Sequence, residues 1–228
     1  MTQLKLSKET IATLANFAGI SNSIVVNAGS RISVIKDSKD CIAYADIAET
    51  FPKEFGIYDI NQFLSAYQLV PEGEIEFDTE FMTISNDHSQ LRYNFSDVEY
   101  ITKAPAEVKF PYEGAIEFAL TQDVIESIKN AADRLRLNSI SFVSDAGSDK
   151  IYAAAIDEKG QDNNSFKILV GKSESIQSNE FNFNLAPNLI KSLIKGDYEV
   201  TVSPQGISEF KGMGIAYYIA LSGKSSFK

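Results

Sequence analysis

Four segments of the chain carry apolar residues at every third or fourth position, which is the spacing of an amphipathic helix. The first is predicted after an N-cap at Ser7 and the second after an N-cap at Asp59. The third is predicted from Thr121, and the fourth between Pro187 and Gly196. The predicted buried stripes are Ile11, Leu14, Ala15 and Ala18, then Ile60, Phe63, Leu64 and Tyr67, then Val124, Ile128, Ala131 and Leu135, then Leu189, Ile190, Leu193 and Ile194.

Short β-branched, aromatic or alternating runs between turn residues predict strands around these helices. They fall at residues 24–27, 31–35, 41–45, 74–78, 81–85 and 90–95 in the first half, and at 115–120, 139–144, 150–156, 166–170, 180–184, 198–202, 207–210 and 215–221 in the second. Each half therefore follows the order helix, strands, helix, strands. This order is typical of a duplicated α+β unit in which two helices pack on antiparallel sheet.

A mid-chain segment, residues 102–114, contains two prolines and has no clean hydrophobic period. Such a segment is typical of an extended connector. We therefore predict two domains, residues 1–101 and 115–228, joined by residues 102–114.

Composition places the chain among ordinary globular proteins, since 44% of its 228 residues are hydrophobic and 23% are charged. The single cysteine excludes an intrachain disulfide and favours a reducing compartment. The first residues do not resemble a signal peptide, and the apolar runs are too short to span a bilayer. An intracellular protein without a membrane partner is expected.

Catalytic motifs are scarce in this sequence. The one histidine, His88, lies in a predicted hairpin turn, and Cys41 has apolar neighbours and is expected to be buried. One residue of each kind cannot build a usual zinc site or a serine–histidine pair. No cofactor and no enzymatic activity are expected, although paired carboxylates for acid-based hydrolysis are not excluded by the sequence.

The net charge of −10 argues against a nucleic-acid partner if it is taken as an average. The predicted helices nevertheless carry +2, which leaves −12 on the rest of the chain. Either these basic residues form solvated helix faces or they face an anion. They are Lys5, Lys8, Lys129, Arg134, Arg136, Lys191 and Lys195.

Several short motifs in register resemble the sliding clamps, or polymerase processivity factors, of T-even-type bacteriophages, and the resemblance covers nearly the whole chain. They include Lys5-Leu6-Ser7-Lys8, Asn16-Phe17-Ala18, residues 57–64, Phe181-Asn182-Phe183, Gly196-Asp197-Tyr198, Phe210-Lys211-Gly212 and residues 217–221. The resemblance implies a duplicated DNA-clamp fold, assembled as a homotrimeric closed ring with helices around the hole and sheets outside.

In function, the resemblance implies a non-catalytic ring around duplex DNA that tethers the replicative DNA polymerase. An ATP-driven clamp loader would place it on DNA in the cytoplasm of the infected bacterial host, and it would also support late transcription. Three chains would carry −30. A closed ring holds DNA by topology, however, so the seven basic helix residues named above need only screen phosphates as DNA-facing residues.

The resemblance also implies a subunit joint and a partner site. The joint would pair the edge strand at Tyr93 and Phe95 with another at Phe166, Ile168 and Val170, although the family carries a tryptophan near the first strand and this chain has none. Partner peptides would bind at the connector. Alternatively, these connector residues only seal the two halves together. They are Val108, Phe110, Pro111 and Tyr112, beside Tyr217.

Three other functions remain open at the level of sequence. A monomeric DNA-polymerase accessory protein could share the duplicated fold, but it would need one strongly basic face. An acid-based hydrolase on a β-rich scaffold would show turnover of a substrate. A structural virion protein would be present in purified particles at a fixed copy number.

Overall fold

The computed structural model describes residues 4–158, 164–172 and 180–228, which divide into two units. The first unit is Met1–Ala106 and the second is Glu107–Lys228. Residues 102–106 of the predicted connector therefore lie with the first unit, and residues 107–114 lie with the second.

The first unit places two helices among short antiparallel sheets. Strands β1 and β4 form one pair, β2 and β3 form another, and β5, β6 and β7 form a three-stranded sheet in that order. The elements are α1 (Lys8–Phe17), β1 (Ile24–Val26), β2 (Gly29–Ile35), β3 (Cys41–Phe51), β4 (Phe55–Ile57), α2 (Ile60–Tyr67), β5 (Glu74–Phe77), β6 (Phe81–Ser85) and β7 (Gln90–Asn94), followed by a 3-10 turn (Val98–Tyr100).

The second unit repeats this plan. Its elements are β8 (Ile116–Leu120), α3 (Gln122–Leu135), β9 (Ser139–Ser144), β10 (Lys150–Ile156), β11 (Phe166–Lys172), β12 (Phe181–Leu185), α4 (Pro187–Lys191), β13 (Tyr198–Ser203), β14 (Ile207–Gly212), β15 (Ile215–Ala220) and β16 (Ser226–Phe227). One sheet has the order β11-β10-β9-β12-β16, and β8, β13, β14 and β15 pair successively in another.

The internal duplication predicted from the sequence is visible in the order of these elements. Within the described residues, α1 and α3 are each followed by four strands, a second helix and at least three more strands, and the second unit adds the short β16 at its end. In the second unit β8 precedes α3 and pairs with β13. In the first unit Leu4 precedes α1 and makes a single antiparallel bridge to Ile75 in β5, the counterpart of β13. The fold is α+β, with helices on antiparallel sheet.

The predicted starts of three helices are confirmed by their caps. The Ser7 hydroxyl accepts a hydrogen bond from the Thr10 N–H at 3.1 Å, and Asp59 accepts one from the Gln62 N–H at 2.9 Å. Thr121 caps α3 in the same way. Each side chain pairs a backbone N–H that the first turn of a helix leaves free.

Two predicted apolar stripes are rotated from the buried ones. In α1 the buried side chains include Thr10 and Phe17, whereas Ala15 is exposed. In α3 the buried side chains are Ile125, Ile128 and Ala132, and Leu135 is exposed. The sequence pattern was misleading because alanines satisfy an apolar stripe without filling much space. Thr10 can be buried because its hydroxyl donates a hydrogen bond to the Glu49 carboxylate.

Helix α4 ends at Lys191, which corrects the prediction that it extends to Gly196. The backbone N–H groups of Ser192 and Leu193 bond three residues back, to Leu189 and Ile190, rather than four. The Ser192 hydroxyl also donates to the Leu189 carbonyl at 2.6 Å. This tighter geometry ends the α-helix, although Leu189, Ile190 and Leu193 are all buried as expected.

The strand prediction was incomplete at three places. Strand β3 continues to Phe51, and β4 and β16 were not predicted, because strands of two or three residues give no period to detect. The helices then pack in pairs within their own units, α1 with α2 and α3 with α4. In the second unit this pairing brings basic residues of α3 and α4 into one region, whereas in the first unit α2 carries no basic residue.

Candidate functional site

The basic residues of the first unit lie around the start of α1. Lys8 is the first residue of the helix and is exposed. Lys5 lies just before it and donates a hydrogen bond to the Glu72 carboxylate, which follows α2. The hydrogen bond from Lys5, together with its charge, lowers the pKa of Glu72, with a smaller contribution from the charge of Lys8. Both predicted cations of this unit are therefore at the surface, and a carboxylate lies close to both.

In the second unit, two of the predicted cations bridge α4 and α3. Lys191 donates to the Asp133 carboxylate, and the Lys195 ammonium lies 3.8 Å from a Glu126 oxygen. Both carboxylates stand on α3. These are exposed ion pairs, which contribute about 0–1 kcal/mol each. A phosphate could therefore replace either carboxylate at little cost.

The remaining predicted cations lie on α3 itself. Lys129 is partly exposed, and Arg134 and Arg136 are exposed. Arg136 is the C-cap residue and adopts a left-handed backbone conformation with φ 53°. The loop after α4 is fixed to the start of α3, because the Gly196 N–H donates to the Gln122 side chain at 2.7 Å. The five cations of this unit thus lie on α3 and α4 or in the residues that directly follow them.

Both strands predicted for a subunit joint lie at the edges of their sheets. Among the described residues, β7 pairs only with β6, and β11 pairs only with β10. One side of each strand therefore presents backbone N–H and C=O groups without a partner strand, which is the surface that adds another strand most readily.

The side chains at the two edges differ in how they are packed. On the first edge, Tyr93 packs against Phe63 with ring centroids 5.1 Å apart, and Phe95 packs against Phe55 at 5.0 Å. On β11, Ile168 and Val170 are partly buried and Phe166 is exposed. The sequence prediction missed Leu169, whose exposed fraction of 47% exceeds that of Phe166. It lies on the opposite face of the strand from Ile168, because successive side chains of a strand point to opposite faces.

The connector aromatics form a surface cluster in the second unit. The Phe110 ring lies 4.8 Å from Tyr112 and 6.4 Å from Tyr218, measured between centroids. Tyr112 is 56% exposed, and Val108 and Pro111 are partly exposed beside it. We refer to Phe110, Tyr112 and Tyr218 as the connector cluster.

Tyr217 does not belong to this surface, which corrects the prediction that it does. Its side chain is fully buried, and its hydroxyl accepts a hydrogen bond from the Ile194 N–H at 3.2 Å. Successive residues of β15 point to opposite faces of the sheet. The neighbouring Tyr218 therefore takes the outward position.

An open groove of about 480 Å³ borders Tyr112 on the outer face of β8, β13 and β14. Glu209 lies in it with only 2% of its surface exposed, and one of its carboxylate oxygens accepts from the Lys211 ammonium at 2.8 Å. This hydrogen bond raises the pKa of Lys211. No pattern in the sequence indicated a buried carboxylate here. The groove is lined by Tyr112, Glu117, Phe118, Ala119, Glu199, Val200, Thr201, Glu209 and Lys211.

The residues considered for catalysis have structural positions. His88 is exposed in a turn, where the Asn86 side chain accepts from its backbone N–H at 2.9 Å. Cys41 is buried, and burial raises the pKa of its thiol to about 12. Within residues 4–158, 164–172 and 180–228, no three His, Cys, Asp or Glu side chains converge to hold a metal ion, and no helix is long and apolar enough to cross a membrane.

Two family models together match most of the chain. Residues 7–102 match the model described as DNA polymerase processivity factor. Residues 117–223 match the model described as gp45 sliding clamp, C terminal. Each match coincides with one unit of the fold, and the region between them contains the connector cluster residues Phe110 and Tyr112.

Curated relatives match over nearly their full length. The chain is 38% identical over 220 residues to the sliding clamp of Vibrio phage KVP40, covering 95% of this chain and 98% of that one. It is 26% identical to the sliding clamp of Escherichia phage RB69, covering 98% and 99%.

Solved structures share the fold at much lower identity. PCNA from Thermococcus kodakaraensis has a TM-score of 0.68 at 11% identity, covering 96% of this chain and 99% of that one. A. fulgidus PCNA, solved with the C-terminal region of FEN-1 bound, has a TM-score of 0.68 at 13% identity, covering 97% and 98%. The likeness at this level concerns the fold.

Proposed function

Since this chain belongs to the sliding clamp family of DNA polymerase processivity factors, we propose that it forms a homotrimeric ring that encircles duplex DNA. As a member of this family it is a non-catalytic protein. The ring would be loaded by an ATP-driven loader in the cytoplasm of the infected host, would tether the replicative polymerase, and would also support late transcription. The proposed domains of the ring are residues 1–101 and 115–228, joined by residues 102–114.

The observation that carries the ring is the pair of open sheet edges, one in each unit. Strand β7 belongs to the first unit and β11 to the second, so pairing them between copies makes a head-to-tail contact. Repeated head-to-tail contacts close into a ring when the rotation fits. Residues Tyr93, Phe95, Phe166, Ile168 and Val170 are the proposed joint, to which the exposed Leu169 is now added.

Charge near the two edges supports the same pairing. The cavity at the end of β7 is bordered by Glu80 and Asp97, together with Asn94 and Phe95. Strand β11 carries the exposed Lys167 and Lys172, whereas the one charged residue of β7 itself, Arg92, donates to the Asn94 side chain at 3.2 Å and lies over the Phe81 ring. An acidic border on one edge and a basic side chain on the other favour the heterologous contact over pairing of either edge with itself.

The proposed DNA-facing set lies on α1, α3 and α4 or in the residues directly beside these helices, and it comprises Lys5, Lys8, Lys129, Arg134, Arg136, Lys191 and Lys195. The proposed partner site comprises Val108, Phe110, Pro111 and Tyr112, with Tyr218 in place of Tyr217. A cluster of partly exposed aromatic rings in a connector has the character of a peptide-binding surface.

A pair of proline variants on β11 tests the ring. Along an edge strand, successive N–H groups alternate between the neighbouring strand and the open side. Of Ile168→Pro and Leu169→Pro, one therefore removes an N–H from the open edge, and the other removes one from the pairing with β10. The variant that loses an open-edge N–H should give a folded monomer without polymerase processivity on DNA. The variant that loses an N–H paired with β10 should be thermally destabilised.

Light scattering after size exclusion, across a dilution series, measures the mass, and circular dichroism measures folding. The wild-type protein should have three times the chain mass of 25.1 kDa. A wild-type monomer at all accessible concentrations would favour the monomeric accessory protein. Trimers that persist in both proline variants would exclude β11 from the joint.

A further inference from the structure

Glu209 is a buried carboxylate with one oxygen unused. Strand β14 lies between β13 and β15, and Glu209 pairs in register with Thr201 on one side and Tyr218 on the other. Its Oε2 accepts from Lys211, but its Oε1 has no hydrogen-bond partner among the described residues. A buried charged oxygen without a donor is costly, so this position favours any ligand that supplies one.

The groove around Glu209 has a negative balance of charge. Glu117 and Glu199 line it and are exposed, and Lys211 is its one cationic lining residue. The groove therefore has three carboxylates and one ammonium, and this net negative charge attracts a cation and repels an acidic ligand. The Lys211 ammonium is engaged on the other Glu209 oxygen and is close to Tyr112, so it does not satisfy Oε1.

A guanidinium fits this position better than an ammonium does. It presents several N–H donors in a planar fork, which suits a carboxylate oxygen with a second carboxylate nearby. The groove also adjoins the connector cluster through Tyr112, and arginine packs favourably on aromatic rings. The arrangement combines an aromatic surface with a charged pocket beside it.

We propose that this groove is an arginine-binding subsite for partner peptides, in which Glu209 binds the guanidinium while apolar residues of the same peptide contact the connector cluster. The inference rests on the proposed partner site and adds the chemistry that the partner must carry. Glu209 would thus be a specificity-determining residue rather than only a component of the fold.

The test begins with a library of random twelve-residue peptides, displayed on phage and selected against the full-length protein. We expect arginine to be enriched at a fixed spacing from an aromatic or large apolar residue. The strongest peptide is then synthesised with arginine and with citrulline, which has the same shape without the charge. Fluorescence polarisation gives the affinity of both peptides for wild type, Glu209→Gln, Glu117→Gln and Phe110→Ala.

The citrulline peptide should bind wild type about 30-fold or more weakly, since truncating one partner of a buried charge pair costs about 2 kcal/mol or more. Glu209→Gln should lose a similar factor with the arginine peptide and should no longer distinguish the two peptides. Glu117→Gln, an exposed carboxylate in the same groove, is the matched control and should change affinity by less than about threefold.

The outcomes separate this inference from the partner site itself. Two results would overturn the arginine subsite but retain the partner site. One is a set of selected peptides that require Phe110 but show no arginine enrichment. The other is an equal loss of affinity, on replacing arginine by citrulline, in wild type and in Glu209→Gln. A selection that yields no Phe110-dependent peptide would overturn both. If Glu209→Gln proves unfolded by circular dichroism, the citrulline comparison on wild type decides alone.

Discussion

The start of α1 is held by Glu49, and its substitution by glutamine offers a quantitative test of the fold near Lys8. The Glu49 carboxylate accepts hydrogen bonds from the Ser7 N–H and from the Thr10 hydroxyl, the latter at 2.5 Å. Glu49 is 9% exposed and Thr10 is 1% exposed. Because Ser7 is the N-cap and Thr10 is in the first turn, this one carboxylate joins β3 to the helix end.

The expected loss can be worked from these two bonds. A hydrogen bond to a charged group contributes about 1.5–3 kcal/mol, against about 0.5–1.5 kcal/mol for a neutral pair. Glutamine has the same size and can still accept, so each bond loses about 1 kcal/mol. The lost interaction of the carboxylate with the positive helix end adds about 0.3–1 kcal/mol. Glu49→Gln should therefore lower the free energy of unfolding by about 2–3 kcal/mol at pH 7.

The same carboxylate predicts a pH dependence. Burial alone would raise the pKa of Glu49, but the hydrogen bonds from Thr10 and Ser7 outweigh it and hold this pKa below its usual value. A carboxyl with a lowered folded-state pKa stabilises the protein above its unfolded pKa of about 4.3, and the stabilisation is lost as pH falls through the folded pKa. The difference between wild type and Glu49→Gln should therefore shrink in acid.

Urea unfolding at one fixed protein concentration, at pH 7 and at about pH 3.5, measures both quantities. Glu54→Gln is the matched control, because Glu54 forms an exposed ion pair with Lys103 at 2.9 Å and its loss should cost less than about 1 kcal/mol. This reasoning would be refuted if the two variants lost equal free energy of unfolding at pH 7. It would also be refuted if the stability difference between wild type and Glu49→Gln were the same in acid as at pH 7.

Two further predictions concern a close backbone approach and an ion pair. Gly212→Ala should lower the melting temperature strongly, because a Cβ there would lie 2.2 Å from the Asp197 carbonyl oxygen. Gly223→Ala is the control and should leave the melting temperature unchanged, because a Cβ there meets nothing within 4 Å. Equal melting temperatures for the two variants would contradict this reasoning. Asp133→Asn should remove the carboxylate partner of Lys191 and leave its ammonium able to bind a phosphate. The slope of the logarithm of the DNA-binding constant against the logarithm of the salt concentration should then become steeper by roughly 0.9 for each phosphate that the ammonium neutralises. If instead Asp133→Asn leaves the slope unchanged and Lys191→Glu leaves processivity unchanged, Lys191 does not face DNA.

Local signals in the sequence were enough to predict where three helices begin and where most strands lie. Ser7, Asp59 and Thr121 are caps whose chemistry operates within four residues, so a single segment suffices to identify them. The duplication was also recoverable, because the order of elements survives where residue identity between the halves does not.

The features that the sequence could not supply depend on distant residues. Tyr217 and Tyr218 lie in a run of apolar residues that has no alternation, so either could have faced the core. Glu209 lies beside a phenylalanine and near a lysine in the sequence, which is ordinary for a strand with one solvated face. The groove that it lines is also bordered by Tyr112, almost a hundred residues earlier, and no local pattern in the sequence brings these two residues together.

The two open edges are a further argument for the proposed ring over an isolated chain. Strands β7 and β11 each leave a row of backbone groups unpaired within the described residues, and Leu169 adds an exposed apolar side chain to one of them. Exposed edges of this kind promote indiscriminate association. Because the edges belong to different units, a head-to-tail closed trimer would cover both in every copy, whereas an open chain of copies would always leave one of each free. In the proposed ring, the subunit contact that would enclose the DNA would thus also protect the chain from aggregation.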